Sequence, residues 1–281
     1  MNKSEALKHI VTQARAGELV FPANVQASLR IQEALNAPDC GIESAARLVM
    51  KDPLMATRVV AIANSVAYSR FGGGVTNTRT AITILGFSTL RSVVAAVVMK
   101  QLSLSVSSPV IRELMEALWQ HSAQVGAMAH LFARRLTRID AETALFAGVV
   151  HEIGGFYLLS RAEDHPALLN QEAMPHNDSD GESDEIVIGR AVLHKLLVPK
   201  RVVSAIETAW CGTLVEAPET LGDTLLLANT FCPSLSPFET RDAARLQAEM
   251  NAMAHIGNQD VRRLLAEEAD DIRSLASCLT C

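Results

Sequence analysis

Between residues 110 and 136 the apolar side chains Leu114, Leu118, Val125, Met128 and Phe132 recur at gaps of 4, 7, 3 and 4, the spacing that lays one stripe along an α-helix. The same rhythm runs through nearly the whole chain. Alternating β-branched runs bounded by turns, the mark of strands, are scarce. An all-α fold follows. With 281 residues, 49% of them hydrophobic, the chain has apolar material for one large core or two modest ones.

Charge and segment length narrow the function classes. A formal charge of -6 and a pI near 5.8 argue against the basic surface that phosphate backbones require, so nucleic acid is not the expected partner. The longest uninterrupted apolar run, Val93 to Met99, is too short to cross a bilayer, and the opening MNKSEALKHIVTQAR lacks a signal-peptide core. No membrane insertion and a cytoplasmic location are therefore expected. Cys40, Cys211, Cys232, Cys278 and Cys281 are scattered and odd in number, which does not suggest a disulfide framework. The terminal CLTC has no matching second pair and reads as a frayed helix end.

Local signals divide the chain. Asp52-Pro53 is a good helix start, because aspartate caps free N–H groups and proline lacks the donor that would go unpaired. That helix should stop around Asn64-Ser65, where asparagine tolerates a left-handed turn, before the FGGG turn at 71–74. The next runs from Ala81 to Leu85, is broken by Gly86, and gives way to another over FSTLRSVVAAVVMKQL. SLSVSSP then marks a hinge, so residues 1–108 read as an N-terminal helical bundle subdomain. Residues 109–281 read as a second helical subdomain with a C-terminal helical extension, its tail from about 239 being charged amphipathic helices. PHNDSDGESDE, residues 175–185, resembles a calcium loop, but its glycine offset and terminal glutamate are wrong; it reads as a solvated loop.

His121 lies three residues after Leu118 and four before Val125, so it points inward with them. Ala144, Ala147 and Gly148 precede His151 by seven, four and three residues, a smooth face on which another helix can approach closely. Two interior imidazoles on adjacent helices are costly unless they have partners. His130 and His194 lie on helices without evident acidic partners and read as core or surface residues. Trp119 and Trp210 read as packing residues. FGGGVTNTRT lacks the lysine of a phosphate loop.

The ordered set VFPANVQ, KDPLMATRVVAIANS, AITILGFSTLRSVV, LWQHSAQVGAMA, LFAGVVHEIG and IGRAVLHKLLVPKRVVSAI resembles the HDOD domain, a signalling output domain related to the HD metal-dependent phosphohydrolases. The match spans about residues 19–231. It implies an N-terminal helical subdomain packed against an HD-like one. His121 then matches the first metal-binding histidine of the HD enzymes, and His151 the histidine of the HD pair, with Glu152 in place of its aspartate. Glu185 falls where another histidine is expected, Ala209 and Trp210 where paired histidines are expected, and Asn229 where the last aspartate is expected.

Two functions are compatible with this set. The first is a non-catalytic regulatory module with a degenerate metal site, acting through the binding of a protein or of a nucleotide, its partners being signalling proteins of two-component or cyclic-dinucleotide circuits. It needs no cofactor and retains at most one divalent metal ion among His121, His151, Glu152, Glu185 and Asn229. The alternative is a divergent metal-dependent phosphohydrolase using His121, His151 and Glu152, with Glu185 as ligand or general base.

Overall fold

The computed structural model describes residues 2–65, 68, 74–169 and 183–280, and is all-helical but for one hairpin. Five helices come first: α1 Lys3–Ala16, α2 Ala23–Leu35, α3 Ile42–Val49, α4 Pro53–Ala63 and α5 Thr78–Leu104. Six more follow: α6 Pro109–Phe132, α7 Ala141–Val150, α8 Ile153–Arg161, α9 Asp184–Lys195, α10 Lys200–Cys211 and α11 Leu221–Phe231. The extension consists of α12 Ala243–Ala252, the strands β1 His255–Ile256 and β2 Gln259–Asp260, α13 Val261–Glu267 and α14 Ala269–Thr280. Most of the 175–185 loop and all but the last residue of the FGGG turn lie outside the described residues.

Punctuation read from sequence governs the first half. Asp52 Oδ1 accepts the Met55 N–H at 3.2 Å, capping α4. Gly86 takes φ +73°, ψ 173° and divides α5 into Thr78–Phe87 and Thr89–Leu104, a conformation that a side chain would strain. Asn64 plays a different part from the one expected. Its backbone is not left-handed, since among the described residues only Arg138 and Leu197 are non-glycine residues with positive φ. Its side chain instead clamps the following loop: Oδ1 accepts from Gly74 and Val75 N–H at 3.1 and 2.9 Å, and Nδ2 donates to the Val75 and Val60 carbonyls. The 103–109 segment is likewise pinned, because the Glu163 carboxylate accepts from Ser107 N–H at 2.8 Å and from its hydroxyl.

The two halves share one continuous core. Arg58 of α4 lies over the Trp119 ring of α6, 5.7 Å from its centroid, and Trp119 meets Phe156 of α8 edge-on. Helix α1 reaches across to pack on α9 and on the 3-10 turn Pro166–Leu169. The extension returns to the start of the fold: α14 packs on α6 and α4, and its Leu275 and Leu279 are buried. The end of α14 is thus a packed helix rather than a frayed one.

Among the described residues, 141–161 form a stretch long and apolar enough to span a membrane, with 83% of its apolar window buried inside the fold, and the two segments of α5 would pass as well only if taken together across their 103° bend. The stretch is broken in the middle, where His151 and Glu152 separate α7 from α8. Its hydrophobicity is that of a core helix pair.

Candidate metal centre and its relatives

Glycine contacts build the centre. A Cβ placed on Gly148 of α7 would lie 2.5 Å from Gly126 Cα and 2.7 Å from Gly126 N of α6, so the two backbones touch there. His121 lies five residues before Gly126, and His151 three residues after Gly148. On antiparallel helices rising about 1.5 Å per residue, those offsets carry both imidazoles to the same side of the crossing, by about 7.5 and about 4.5 Å. Their ring centroids are 5.2 Å apart. The smooth face read from the sequence is what allows this pairing.

Hydrogen bonding fixes both tautomers. His121 Nδ1 is 2.6 Å from the Ser234 carbonyl and His151 Nδ1 is 2.7 Å from the Gly148 carbonyl. A carbonyl only accepts, so each Nδ1 carries the hydrogen and each Nε2 presents a lone pair. Both Nε2 atoms are buried without a hydrogen-bond partner. Burial pushes both imidazoles down to about 4, that of His121 also through the neighbouring His151, so both are neutral at pH 7. Glu152 completes the cluster, with His151 Nε2 4.0 Å from its Oε1 and the ligand atoms of all three residues within 4.8 Å of one another. Burial raises the Glu152 carboxyl above its usual range, while His121 and a Ser236 hydrogen bond oppose the rise.

The other expected residues divide. Asn229, in the last turn of α11, holds its Oδ1 buried and unpartnered. Glu185 is exposed, accepts a hydrogen bond from Ser183 Oγ at 2.6 Å, and is not part of the three-residue cluster. Trp210 packs its indole on α9, where a Cβ on Gly189 would meet Trp210 Cη2 at 2.8 Å. Gly189 in turn abuts Gly154 of α8. His194 is exposed, as expected of a surface residue.

His130 is a buried core residue, and it has an acidic partner that the sequence did not show. Its Nε2 is 3.4 Å from Glu142 Oε1, and the same carboxylate accepts from Tyr68 and Thr89, linking the N-terminal helices to α6 and α7. Burial opposes ionisation of Glu142, yet the hydrogen bonds from His130, Thr89 and Tyr68 hold its carboxyl below the usual range. No sequence signal marks this node, since an acid in the first turn of a helix is common on electrostatic grounds alone.

A second missed element is the strap 232–241, which packs on the His121–His151–Glu152 cluster. Ser234 bonds His121, Ser236 bonds Glu152, and Phe238 lies on the Gly155 backbone, where a Cβ would meet its ring at 2.7 Å. The Arg241 guanidinium grips both Glu239 oxygens at 3.0 and 2.6 Å and holds that carboxyl low against the opposing effect of burial. CPSLSPFETR shows no periodicity, so nothing in it announced this role.

The donor set fits one divalent transition metal: two neutral imidazoles with free Nε2 lone pairs and one carboxylate. A bound ion would act as a Lewis acid on a ligand oxygen. The chain's own contribution is to keep both Nε2 atoms unprotonated, through the Ser234 and Gly148 carbonyls.

These features define an all-helical, HD-type fold with a histidine-histidine-carboxylate centre. The HDOD domain model matches residues 21–209, and the chain belongs to the HDOD family. No curated protein matches it. Among solved structures, it is similar to a "Putative metal-dependent phosphohydrolase" from Shewanella amazonensis SB2B, with 23% identity, 99% of each chain covered and a TM-score of 0.70. An HDOD domain protein with unknown function from Geobacter sulfurreducens has 21% identity, 97% of each chain covered and a TM-score of 0.61. A "Putative signal transduction protein" from Marinobacter aquaeolei VT8 has 19% identity and a TM-score of 0.58, with 100% of this chain and 67% of that one covered. At these identities the likeness establishes the fold.

Proposed function

We propose that this protein is a non-catalytic, cytoplasmic regulatory module of bacterial signal transduction, with a degenerate HD centre that holds at most one divalent ion. The observation that carries the reading is Trp210. Its indole fills the space against Gly189, and with Ala209 it stands where the HD enzymes are expected to place paired histidines. Three clustered ligands are too few to bind and bridge two ions. The working division remains 1–108 and 109–281, with α1 docked across it. Regulation then acts through a protein partner, in a two-component or cyclic-dinucleotide circuit, rather than through turnover.

The paired Nε2 lone pairs favour a second reading, a divergent phosphohydrolase built on His121, His151 and Glu152, with Asn229 as an additional oxygen donor and Glu185 as ligand or general base. Hydrolysis assays against generic phosphodiesters and cyclic dinucleotides, with added Mn²⁺, Fe²⁺ or Zn²⁺, separate the two. The regulatory reading expects no turnover. Robust turnover that vanishes in His151→Ala would overturn it.

A further inference from the structure

The two clustered imidazoles owe their tautomers to different kinds of partner. His151 Nδ1–H donates to the carbonyl of Gly148, three residues back in its own helix, so that bond forms wherever α7 forms. His121 Nδ1–H instead donates to the carbonyl of Ser234, 113 residues away in the strap. Ser234 belongs to no helix or strand, so no backbone ladder aims that carbonyl. Its side chain does so: Ser234 Oγ donates to Gln124 Oε1 at 2.9 Å. Gln124 lies three residues after His121 on α6, and residues at that spacing share one face of a helix. The hydroxyl and the carbonyl of Ser234 thus both bond to a single turn of α6, one to each side chain. The Cys232 thiol lies 3.3 Å from the same carbonyl, whose second lone pair is left for it.

We infer that Gln124 is a positioning residue for His121: by holding Ser234 it keeps the His121 hydrogen on Nδ1 and leaves the Nε2 lone pair available to an ion. Without the Ser234 carbonyl, a buried Nδ1–H would lose its acceptor, at the cost of an unmet donor. The neutral ring relieves that cost by moving its hydrogen to Nε2, near the Glu152 carboxylate, where it blocks coordination. His151 has no such freedom, because its acceptor is part of its own helix. One ligand of the pair is therefore fixed locally, and the other depends on how the strap is seated. The inference deepens the one-ion reading of the cluster and rests on it wherever an ion is concerned.

Long-range proton–nitrogen NMR of the full chain, isotope-labelled at histidine and held in chelator at pH 7, reads the tautomer of each ring. His121→Gln and His151→Gln assign the signals. In the unsubstituted protein both rings should carry their hydrogen on Nδ1. Gln124→Leu, which removes the acceptor at similar volume, should move His121 towards the Nε2–H form and leave His151 as it was. Gln124→Glu, which keeps an oxygen acceptor for Ser234, should retain the Nδ1–H form. Gln120→Leu, the same change at an exposed position one turn earlier on α6, should alter neither ring. Calorimetric titration with Zn²⁺ should give a Kd about 10-fold or more higher in Gln124→Leu, as for loss of an outer-shell partner, and no change in Gln120→Leu. The inference is overturned if His121 keeps its Nδ1–H signal in a Gln124→Leu protein with unchanged helical circular dichroism, if His151 shifts with it, or if Zn²⁺ binds both proteins equally tightly. The tautomer is read without metal, so failure there sinks this inference alone, whereas two ions per chain would sink the reading it deepens.

Discussion

Replacing Gly148 with alanine should break the crossing that pairs the two histidines. The new methyl would lie 2.5 Å from Gly126 Cα, against roughly 3.5–4.0 Å for a relaxed carbon–carbon contact, so α6 and α7 must part by about 1 Å. Both walls of the contact are backbone, and no rotamer change relieves it. Overpacking of this kind costs about 1–3 kcal/mol. The better helix propensity of alanine offsets up to about 1 kcal/mol of that. A net loss of roughly 1–2 kcal/mol corresponds to a Tm lower by roughly 2–8 °C for a domain of this size. Differential scanning calorimetry of the chelated protein measures it. Metal titration of the same variant should show weaker binding, since His121 and His151 move apart with their helices. A Tm equal to or above that of the unsubstituted protein would refute the close-crossing argument.

The metal-free protein should lose stability as pH falls from 6.5 towards 4, because the unfolded chain takes up protons at His121 and His151 before the folded one does. Stability is full above the unfolded value near 6.5, and at pH 5 the loss is roughly 2 kcal/mol per histidine; urea denaturation at pH 7 and pH 5 checks it, and His151→Gln should flatten the slope. Glu142→Gln should destabilise by about 2 kcal/mol through weakened hydrogen bonds to Tyr68 and Thr89, read as a lower urea midpoint; an unchanged midpoint would show that the node is not structural. Trp210→Ala should cost about 2 kcal/mol, less than the 3–5 kcal/mol of a fully buried aromatic because the indole is only half-buried, and it should leave the cavity against Gly189 open.

The fold was readable because its signals are local. Apolar spacing, the Asp52-Pro53 start and the Gly86 break each act within a few residues, and each sits in the structure where the sequence placed it. The inward aim of His121 and His151 followed from helical periodicity for the same reason. What escaped depends on contacts between distant segments. The partner of His130 is Glu142, twelve residues away on the next helix, and its companions Tyr68 and Thr89 come from the other half of the chain. The Ser234–His121 bond spans 113 residues and involves a backbone carbonyl, which carries no residue-specific signature. Asn64 was placed at the right helix end, but a side chain that bonds a loop ten residues on leaves no periodic trace.

Metal stoichiometry decides between a bimetallic enzyme centre and the remnant described above. Inductively coupled plasma mass spectrometry after saturation with Mn²⁺, Fe²⁺ or Zn²⁺ and removal of free ion should find no more than one ion per chain, and none in His121→Ala/His151→Ala. Two ions per chain, both lost in that double variant, would contradict the account.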